Sequence, residues 1–254
     1  MKYLKYFEEL SAYEAYKNGS DFITPNVSYI EEIKGVSYIP KVEEPTQTYN
    51  MVDLGLPSGL LWADRNIGAS SPEDFGLYFQ WGDTVGYTAE QVANGEKVFN
   101  WDSYFDTTNH GSTFIKYTTS NEILQPEDDA ATVNMGSEYR MPAKEDFKEL
   151  INNTTVTYID IYDNEYEPVI VSGMLEPGTL KGIKFTGSNG NVIFIPASGI
   201  FGRSNDDLFT EANLWCNKSL PKEYASAQIF DINGEMFYGD RNSRYRGLVI
   251  RGVK

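Results

Sequence analysis

Few residues in this chain of 254 amino acids have side chains suited to acid–base or metal chemistry. It contains one cysteine, Cys216, and one histidine, His110, so no internal disulfide and no zinc cluster can form. No Gly-x-Ser-x-Gly motif marks a nucleophilic serine. Asp206 and Asp207 are adjacent, whereas a glycosidase needs two carboxyl groups that face each other across a bond. The sequence therefore predicts no enzyme activity; a glycan-acting enzyme is the alternative that turnover of a saccharide would support.

The densest acidic cluster is Glu127-Asp128-Asp129. Carboxylate oxygens at this spacing suit Ca²⁺, but the EF-hand pattern is absent. We therefore predict no cofactor and no metal site, with calcium as the weaker alternative. We expect the three acids to form ion pairs that hold the chain ends together. The expected partners are the arginines Arg140, Arg244 and Arg251.

Aromatic side chains are the most promising ligand-binding groups. Trp62 and Trp81 lie in apolar runs and are predicted to be buried, whereas Trp101 and Trp215 lie in less regular segments. An exposed tryptophan there would be a platform for a sugar ring or a protein surface. Tyrosine, asparagine and serine are also typical of adaptable binding sites. The predicted ligand surface adds to Trp101 and Trp215 the residues Asn213, Asn217, Tyr224, Arg203, Asn205 and Asp206.

The charge of the chain excludes one class of partner. The net charge is −16, and residues 46–139 hold 14 acidic and 3 basic side chains. Such a protein is repelled by phosphate backbones, so we expect no nucleic-acid partner. Glutamates interrupt the apolar runs of the first twenty residues, and no run approaches the ~18 apolar residues that span a bilayer. We expect a protein that is made in the cytoplasm, is not exported by the usual route and is not inserted in a membrane.

The segment 1–45 differs from the rest of the chain. The spacing of its apolar residues predicts a short helix over 7–17. The word VSYI occurs at 27–30 and again at 36–39, and the turn residues Lys34-Gly35 between the copies predict a β-hairpin. Pro40 and Pro45 then indicate a linker, which sets a domain boundary near residue 46. The predicted docking residues of the hairpin are Val27, Tyr29, Ile30, Val36, Tyr38 and Ile39.

Residues 46–254 alternate short apolar runs with glycine, asparagine and aspartate, which predicts short strands joined by turns. One clear helix is expected at about 143–152, and the stretch 84–125 is predicted to form loops with short elements. The predicted strands are 60–63, 76–81, 155–161, 181–186, 191–196, 226–232, 235–239 and 246–251.

Four blocks of this domain resemble the Fibrobacter succinogenes major paralogous domain. They are VDLGLPSGLLWADRNIGASSPEDFGLYFQWGD (52–83), EDDAATVNMGSEYRMPAKEDFKELI (127–151), GIKFTGSNGNVIFIPASG (182–199) and RYRGLVIRGV (244–253). The resemblance implies a compact α+β domain of mostly short antiparallel strands, with a C-type-lectin-like fold and a long-loop face used for binding. It also implies that Tyr238, Arg241 and Tyr245 share one face with the predicted ligand residues. The formylglycine-generating members of that superfamily depend on a pair of cysteines. This chain has only Cys216, so the resemblance does not imply their activity.

The N-terminal segment carries a second resemblance. Residues 12–40, AYEAYKNGSDFITPNVSYIEEIKGVSYIP, are similar to the leader of structural proteins in crAss-like Bacteroides phages. This implies a segment that docks on the major capsid or another virion protein, by strand addition, and forms a homo-oligomer, either trimer or dimer. The implied function is that of a virion protein, a head fibre or capsid decoration, whose C-terminal domain binds a host-surface or mucosal glycan or protein. A tail-fibre component and a bacterial cell-surface adhesion module remain alternatives.

Overall fold

The structure is a computed structural model that describes residues 3–6, 28–31, 48–108, 113–168, 175–202, 208–221, 223–231 and 236–254. For 3–6, 28–31 and 236–240 it describes the backbone alone. The chain divides into two units, Met1–Thr46 and Gln47–Lys254, next to the boundary expected near residue 46.

The described residues form a mixed α+β structure in which strands outnumber helices. The strands are β1 Tyr3–Tyr6, β2 Ser28–Glu31, β3 Met51–Asp53, β4 Leu61–Ala63, β5 Tyr78–Phe79, β6 Thr107–Thr108, β7 Thr113–Phe114, β8 Thr154–Asp160, β9 Glu165–Tyr166, β10 Leu180–Gly187, β11 Val192–Pro196, β12 Glu211–Ser219, β13 Tyr224–Asp231, β14 Met236–Ser243 and β15 Leu248–Val249. The α-helices are α1 Ala89–Ala93, α2 Ala130–Met135 and α3 Lys144–Asn153, and 3₁₀ turns cover Trp101–Ser103 and Pro126–Asp128.

In the first unit the structure describes one antiparallel pair, β1 with β2. Tyr29 and Ile30, two of the predicted docking residues, lie in β2. The sequence predicts that 27–30 pairs with 36–39, and the structure describes β1 as one partner of β2. Val27, Val36, Tyr38, Ile39 and the predicted helix at 7–17 lie outside the described residues.

The second unit contains a four-stranded antiparallel sheet in the order β11-β10-β8-β9. Alternate side chains point into the core, among them Ile183 and Phe185 of β10 and Ile195 of β11. β10 and β11 form the hairpin that the sequence predicts, and Gly190 in its turn has the positive φ of +82° that glycine accommodates without strain. Three of the predicted strands, 155–161, 181–186 and 191–196, are thus confirmed.

The second sheet has five strands in the order β14-β13-β12-β15-β5, antiparallel except for the parallel pair of β12 with β15. β12 is its central strand, although the sequence interpretation treated its residues as irregular. Residues 212–217 of β12 are buried on both faces, so polar and apolar side chains do not alternate as they do in a strand with one solvated face. This missing alternation explains the error.

Helix α3 lies within one residue of the predicted helix. Its buried residues are Phe147 and Leu150, and the Phe147 ring packs 5.0 Å from the ring of Trp62. At its start the Ala143 amide donates to the Asp146 carboxylate over 2.7 Å. The apolar stripe and the early acids that predicted the helix therefore also fix its buried face and its N-terminus.

The C-terminal residues close the second unit. The Leu61 amide donates to the Lys254 carbonyl over 3.0 Å, and the Val253 amide donates to the Arg140 carbonyl over 3.0 Å. The buried Arg251 guanidinium donates to the carbonyls of Ala63 (3.0 Å) and Phe194 (2.8 Å), and to the side-chain oxygen of Asn66 (2.9 Å). Burial lowers the pKa of Arg251 to about 9, which leaves it cationic at neutral pH.

The predicted ion pairs of the acidic cluster are wrong in their partners. Asp128 pairs with Lys116 at 2.7 Å, and Asp129 caps α2 by accepting from the amides of Ala131 and Thr132. Glu127 is exposed. Arg140 pairs with Asp146, Arg244 lies 3.9 Å from Asp106, and Arg251 is held by neutral oxygens. The physical reason is that a carboxylate at a helix start is satisfied by backbone amides, and backbone pairing with Leu61 and Arg140 already holds the C-terminal residues.

Candidate functional site

Three partly exposed aromatic rings meet on the surface of the second unit. The Trp101 ring lies 4.7 Å from Tyr245 and 6.0 Å from Phe114, both in edge-on contact. We call Trp101, Phe114 and Tyr245 the aromatic face. The buried Tyr104 ring backs it, 5.7 Å from Trp101. Edge-on contacts at these distances are favourable, so the rings stabilise one another in a fixed arrangement.

The position of Trp101 is fixed by a short capped turn. Asn100 caps the 3₁₀ turn Trp101–Ser103 by accepting from the Ser103 amide over 3.0 Å. The buried Gln80 amide donates to the Ser103 hydroxyl over 3.1 Å and to the Tyr245 carbonyl over 2.9 Å. Gln80 thereby ties the turn that carries Trp101 to the segment that carries Tyr245.

Lys97 continues this network. Its ammonium donates to the Gln80 side-chain oxygen over 2.9 Å and lies 5.3 Å from the Tyr87 ring centre. Burial lowers the pKa of Lys97, while the charge of Asp83 opposes that shift. A cleft of about 270 Å³ lies beside Lys97. The residues that line it are Val92, Ala93, Lys97, Val98, Phe99, Phe201 and Gly202.

Arg244 supports the aromatic face from below. Its buried guanidinium lies 4.5 Å from the Phe114 ring centre and 5.0 Å from that of Trp81. It donates to the Tyr117 carbonyl over 2.9 Å and to the Tyr224 carbonyl over 3.1 Å. One side chain therefore connects the loop before residue 117 with β13, and the aromatic contacts add a cation–π attraction.

Asp106 sits at the base of the β6–β7 hairpin. It is buried, accepts from the Lys116 amide, and lies 3.9 Å from the Arg244 guanidinium. Burial raises the pKa of Asp106, and the Lys116 amide and Arg244 partly offset that rise. The Tyr104 hydroxyl donates to the Trp81 carbonyl over 2.8 Å in the same region. The loop is thus anchored by polar side chains within the protein.

Several predicted ligand residues are not at the surface. Trp215 is fully buried, and its ring nitrogen donates to the Phe79 carbonyl over 2.8 Å. Asn213 and Asn217 are buried in β12. All three residues lie in β12, the central strand of the five-stranded sheet, which explains why they are buried. Their assignment to a ligand surface was wrong. Trp62 and Trp81 are buried as predicted.

Of the remaining predicted ligand residues, Tyr224 and Arg241 contact each other, and the structure describes the others only in part or not at all. Arg241 is exposed, and its guanidinium lies 5.0 Å from the ring centre of the half-buried Tyr224. Only the backbone of Tyr238 is described, in β14. Arg203, Asn205 and Asp206 lie outside the described residues. The structure therefore brings together two pairs of predicted residues, Trp101 with Tyr245 and Tyr224 with Arg241.

Sequence reasoning missed Phe114, Gln80 and Lys97 as parts of this site. The signal for Phe114 is weak because its segment has no regular pattern. A clearer signal existed at FNWDSYF (99–105), where asparagine precedes a serine three residues later, as at a helix start. That spacing would have indicated an ordered turn carrying Trp101.

Two observations concern the groups that could do metal or thiol chemistry. Among them, no group of three or more histidine, cysteine, aspartate or glutamate side chains is arranged to hold a metal ion. Cys216 is buried in β12, and burial raises the pKa of its thiol to about 12. Such a thiol is protonated at neutral pH and is a poor nucleophile. What the arrangement does offer is a rigid, partly exposed aromatic surface.

Comparisons with known proteins leave the family open. No family model, no curated protein and no solved structure matches the chain. Within the described part of the chain, none of the helices is long and apolar enough to cross a membrane.

Proposed function

We propose that residues 47–254 form a non-enzymatic binding domain of the C-type-lectin-like type, which presents the aromatic face to a ligand on the host surface. The observation that carries this proposal is the contact between Trp101, Phe114 and Tyr245, three partly exposed rings held by buried polar groups. Rings that are already fixed lose little conformational entropy on binding, which favours affinity.

The buried polar groups support this proposal because they fix the aromatic face before a ligand binds. Gln80, Arg244 and Asp106 are buried polar groups that contribute little net stability when satisfied. Their hydrogen bonds with Ser103, Tyr117 and Lys116 fix the segments that carry Trp101 and Phe114. Preorganisation of a binding surface is the use that fits this arrangement.

We further propose that the protein is a virion component, a head fibre or capsid decoration attached through residues 1–46 to the capsid or another virion protein. The supports are the resemblance of residues 12–40 to phage leaders and the division of the chain at Thr46. Attachment in several copies, as a trimer or dimer, would convert weak binding at each aromatic face into avidity. A tail-fibre position and a cell-surface adhesion module are the competing assignments.

Mass spectrometry of density-purified phage particles, with the host envelope fraction beside them, tests the virion assignment. Recovery at a fixed copy number per particle is expected, and that number separates a head from a tail position. Recovery only in the envelope fraction would overturn the virion assignment and favour the adhesion module.

The binding role is tested separately with the full chain and host envelope fragments. Trp101→Ala should weaken binding at least tenfold, whereas Tyr162→Ala, which removes a 75% exposed ring far along the chain in the β8–β9 turn, should not. Equal binding by wild type and Trp101→Ala would overturn the assignment of the aromatic face.

A further inference from the structure

Two hydrogen-bonded side chains lie at the end of β14 and in the turn that follows it. Asn242, in β14, is fully buried, and Arg246, in the turn, is half-buried. Arg246 Nη1 donates to Asn242 Oδ1 over 2.7 Å. Two buried donor atoms of these side chains, Asn242 Nδ2 and Arg246 Nε, have no hydrogen-bond partner among the described residues. We call Asn242 and Arg246 the donor pair.

The donor pair differs from the other buried polar groups that lack a partner. Of all such atoms in the described part of the chain, only Asn242 Nδ2 and Arg246 Nε belong to side chains that hydrogen-bond to each other. An unsatisfied buried donor destabilises a protein, and a charged donor does so more strongly. Two such donors at one place indicate a site that an acceptor from outside the chain completes.

The charge of Arg246 is also unbalanced. Arg65 pairs with Asp64 and Arg140 pairs with Asp146, whereas no carboxylate among the described residues forms an ion pair with Arg246. Its Nε and Nη2 atoms form one edge of the planar guanidinium, and neither donates a hydrogen bond within the described structure. That edge presents two parallel donors, which is the geometry that a carboxylate accepts from arginine.

A turn fixes Arg246 beside the aromatic face. The Arg246 amide donates to the Ser243 carbonyl over 3.0 Å, and the next residue, Gly247, donates its amide to the Phe201 carbonyl over 3.1 Å. Tyr245, which immediately precedes Arg246, belongs to the aromatic face. Because consecutive Cα atoms are only about 3.8 Å apart, a ligand on the aromatic face lies near the donor pair.

We propose that the donor pair is a subsite for a carboxylate group, and that the ligand of the aromatic face is a glycan with an acidic sugar. This inference rests on the proposed binding role of the aromatic face and names the class of its ligand. The carboxylate accepts from Nε and Nη2 of Arg246, and Asn242 Nδ2 supplies a further donor. The sugar ring packs on the aromatic rings, which combine apolar faces with polar tips.

The charge of the whole protein favours a ligand with few negative charges. The net charge of −16 repels a polyanion, such as a sulfated or phosphorylated polymer, at every group that it carries. A sugar with one carboxylate meets that repulsion once and makes a charge-assisted, bidentate contact with Arg246. A neutral sugar has no group that pairs with the cation of the donor pair.

Calorimetric titration of the full chain with sodium glucuronate tests the subsite. Glucose serves as a neutral probe with a similar ring, and sodium sulfate serves as an anion without a ring. We expect glucuronate to bind at least tenfold more tightly than either. Binding of sulfate as tight as that of glucuronate would mean an anion site without sugar recognition, and absence of glucuronate binding would mean no carboxylate site. Either result would overturn the inference.

Two substitutions separate the fork of Arg246 from its charge. Arg246→Lys keeps the charge and removes the planar fork, so glucuronate should bind at least tenfold more weakly. Asn242→Asp places a carboxylate beside Arg246 within the protein, so it should raise the melting temperature and abolish glucuronate binding. Arg140→Lys is the control, because its guanidinium already pairs with Asp146, and it should bind within twofold of wild type. Circular dichroism verifies that each variant folds.

Unchanged glucuronate binding in both Arg246→Lys and Asn242→Asp would overturn the subsite, as would an equal loss in Arg246→Lys and Arg140→Lys. Host envelope fragments separate this inference from the binding role on which it rests. If Trp101→Ala loses the fragments and Arg246→Lys retains them, the aromatic face binds a ligand that has no carboxylate at this subsite. If Trp101→Ala retains them as well, the binding role itself is wrong.

Discussion

The two sheets and the loop-rich segment of residues 84–128 satisfy their polar groups in different ways. In the sheets, each of β10 and β12 pairs with a strand on either side, so main-chain partners are supplied by the ladders. In the loop segment, buried side chains take that role: Gln80 and Arg244 donate to the carbonyls of Asn100 and Tyr117, and Asp106 accepts from a main-chain amide. We call the sheets with α3 the framework and residues 84–128 the loop segment.

This difference decides how each region responds to a substitution. A ladder continues when one side chain is lost, so the stability of the framework is spread over many residues. The loop segment depends on a few buried polar groups, and the loss of one leaves its partners unsatisfied. The arrangement keeps the aromatic face ordered in the native protein and makes it sensitive to substitution of a small number of residues.

The largest effect is expected at Arg251, which follows β15 and, like the buried groups of the loop segment, satisfies acceptors that no strand ladder serves. Arg251→Ala leaves the acceptors on Ala63, Phe194 and Asn66 without their donor. We expect the free energy of unfolding to fall by about 3–5 kcal/mol, measured by urea denaturation. Arg241→Ala, an exposed guanidinium, is the control and should cost less than about 1 kcal/mol. Similar small losses in both would mean that backbone pairing alone closes the domain.

Arg244→Ala should instead act locally. It removes the donors to the Tyr117 and Tyr224 carbonyls and leaves the Asp106 carboxylate without its nearby cation. We expect a cost of about 1–3 kcal/mol and faster hydrogen exchange in 104–108 and 113–117, with unchanged exchange in 180–196. Uniform acceleration across both ranges would show that the two regions unfold as one unit.

The pH dependence of stability should have opposite signs at two carboxyl groups. Burial raises the pKa of Asp106, so the folded state binds its proton more readily and this group adds stability as pH falls from 7 toward 4. At Asp160, burial is outweighed by hydrogen bonds from Asn164, Tyr166 and Tyr162, which lower the pKa. Asp160 therefore stabilises the folded protein at pH values above its pKa in the unfolded chain. This stabilisation is lost as the pH falls through the lower pKa that Asp160 has in the folded protein.

Urea denaturation measures both effects, from pH 7 to about 4 for Asp106→Asn and from about pH 6 to about 2 for Asp160→Asn. As pH falls, wild type should gain stability relative to Asp106→Asn and lose stability relative to Asp160→Asn. Parallel profiles for the two variants would contradict the opposite shifts.

The smallest expected effect is at Cys216, in the centre of the framework. The thiol is buried and burial raises its pKa to about 12, so the native protein should not react with a thiol reagent at neutral pH. Full labelling should appear only in denaturant. Rapid labelling of the native protein would show that the five-stranded sheet opens readily.

The same two regions differ in how far the sequence predicts them. Alternation in 181–186 and 191–196 predicts β10 and β11 because one face of each strand is apolar. β12 was missed because Asn213 and Asn217 are buried polar residues within a strand, which breaks the pattern. Helix α2 was missed because Asp129 was assigned to an ion pair, although an aspartate before Ala130–Met135 and a following Gly136 are signals of a helix start and end.

The candidate site was only partly predictable. Trp101 was predicted from its residue type and Tyr245 from the family resemblance, and the structure brings the two rings together. Trp215 has the same residue type and is fully buried, because burial depends on sheet position that no local pattern contains. The buried supports Gln80 and Arg244 act across more than a hundred residues of sequence, on Tyr245 and Tyr117, so local reasoning gives no indication of them.

Hydrogen exchange of the full chain with and without bound host envelope fragments tests the central claim, that the loop segment binds while the framework supports it. We predict slower exchange on binding in 97–108, 113–117 and 244–246, and no change in 154–160 and 180–196. Protection confined to 154–196 with none in the loop segment would contradict the account.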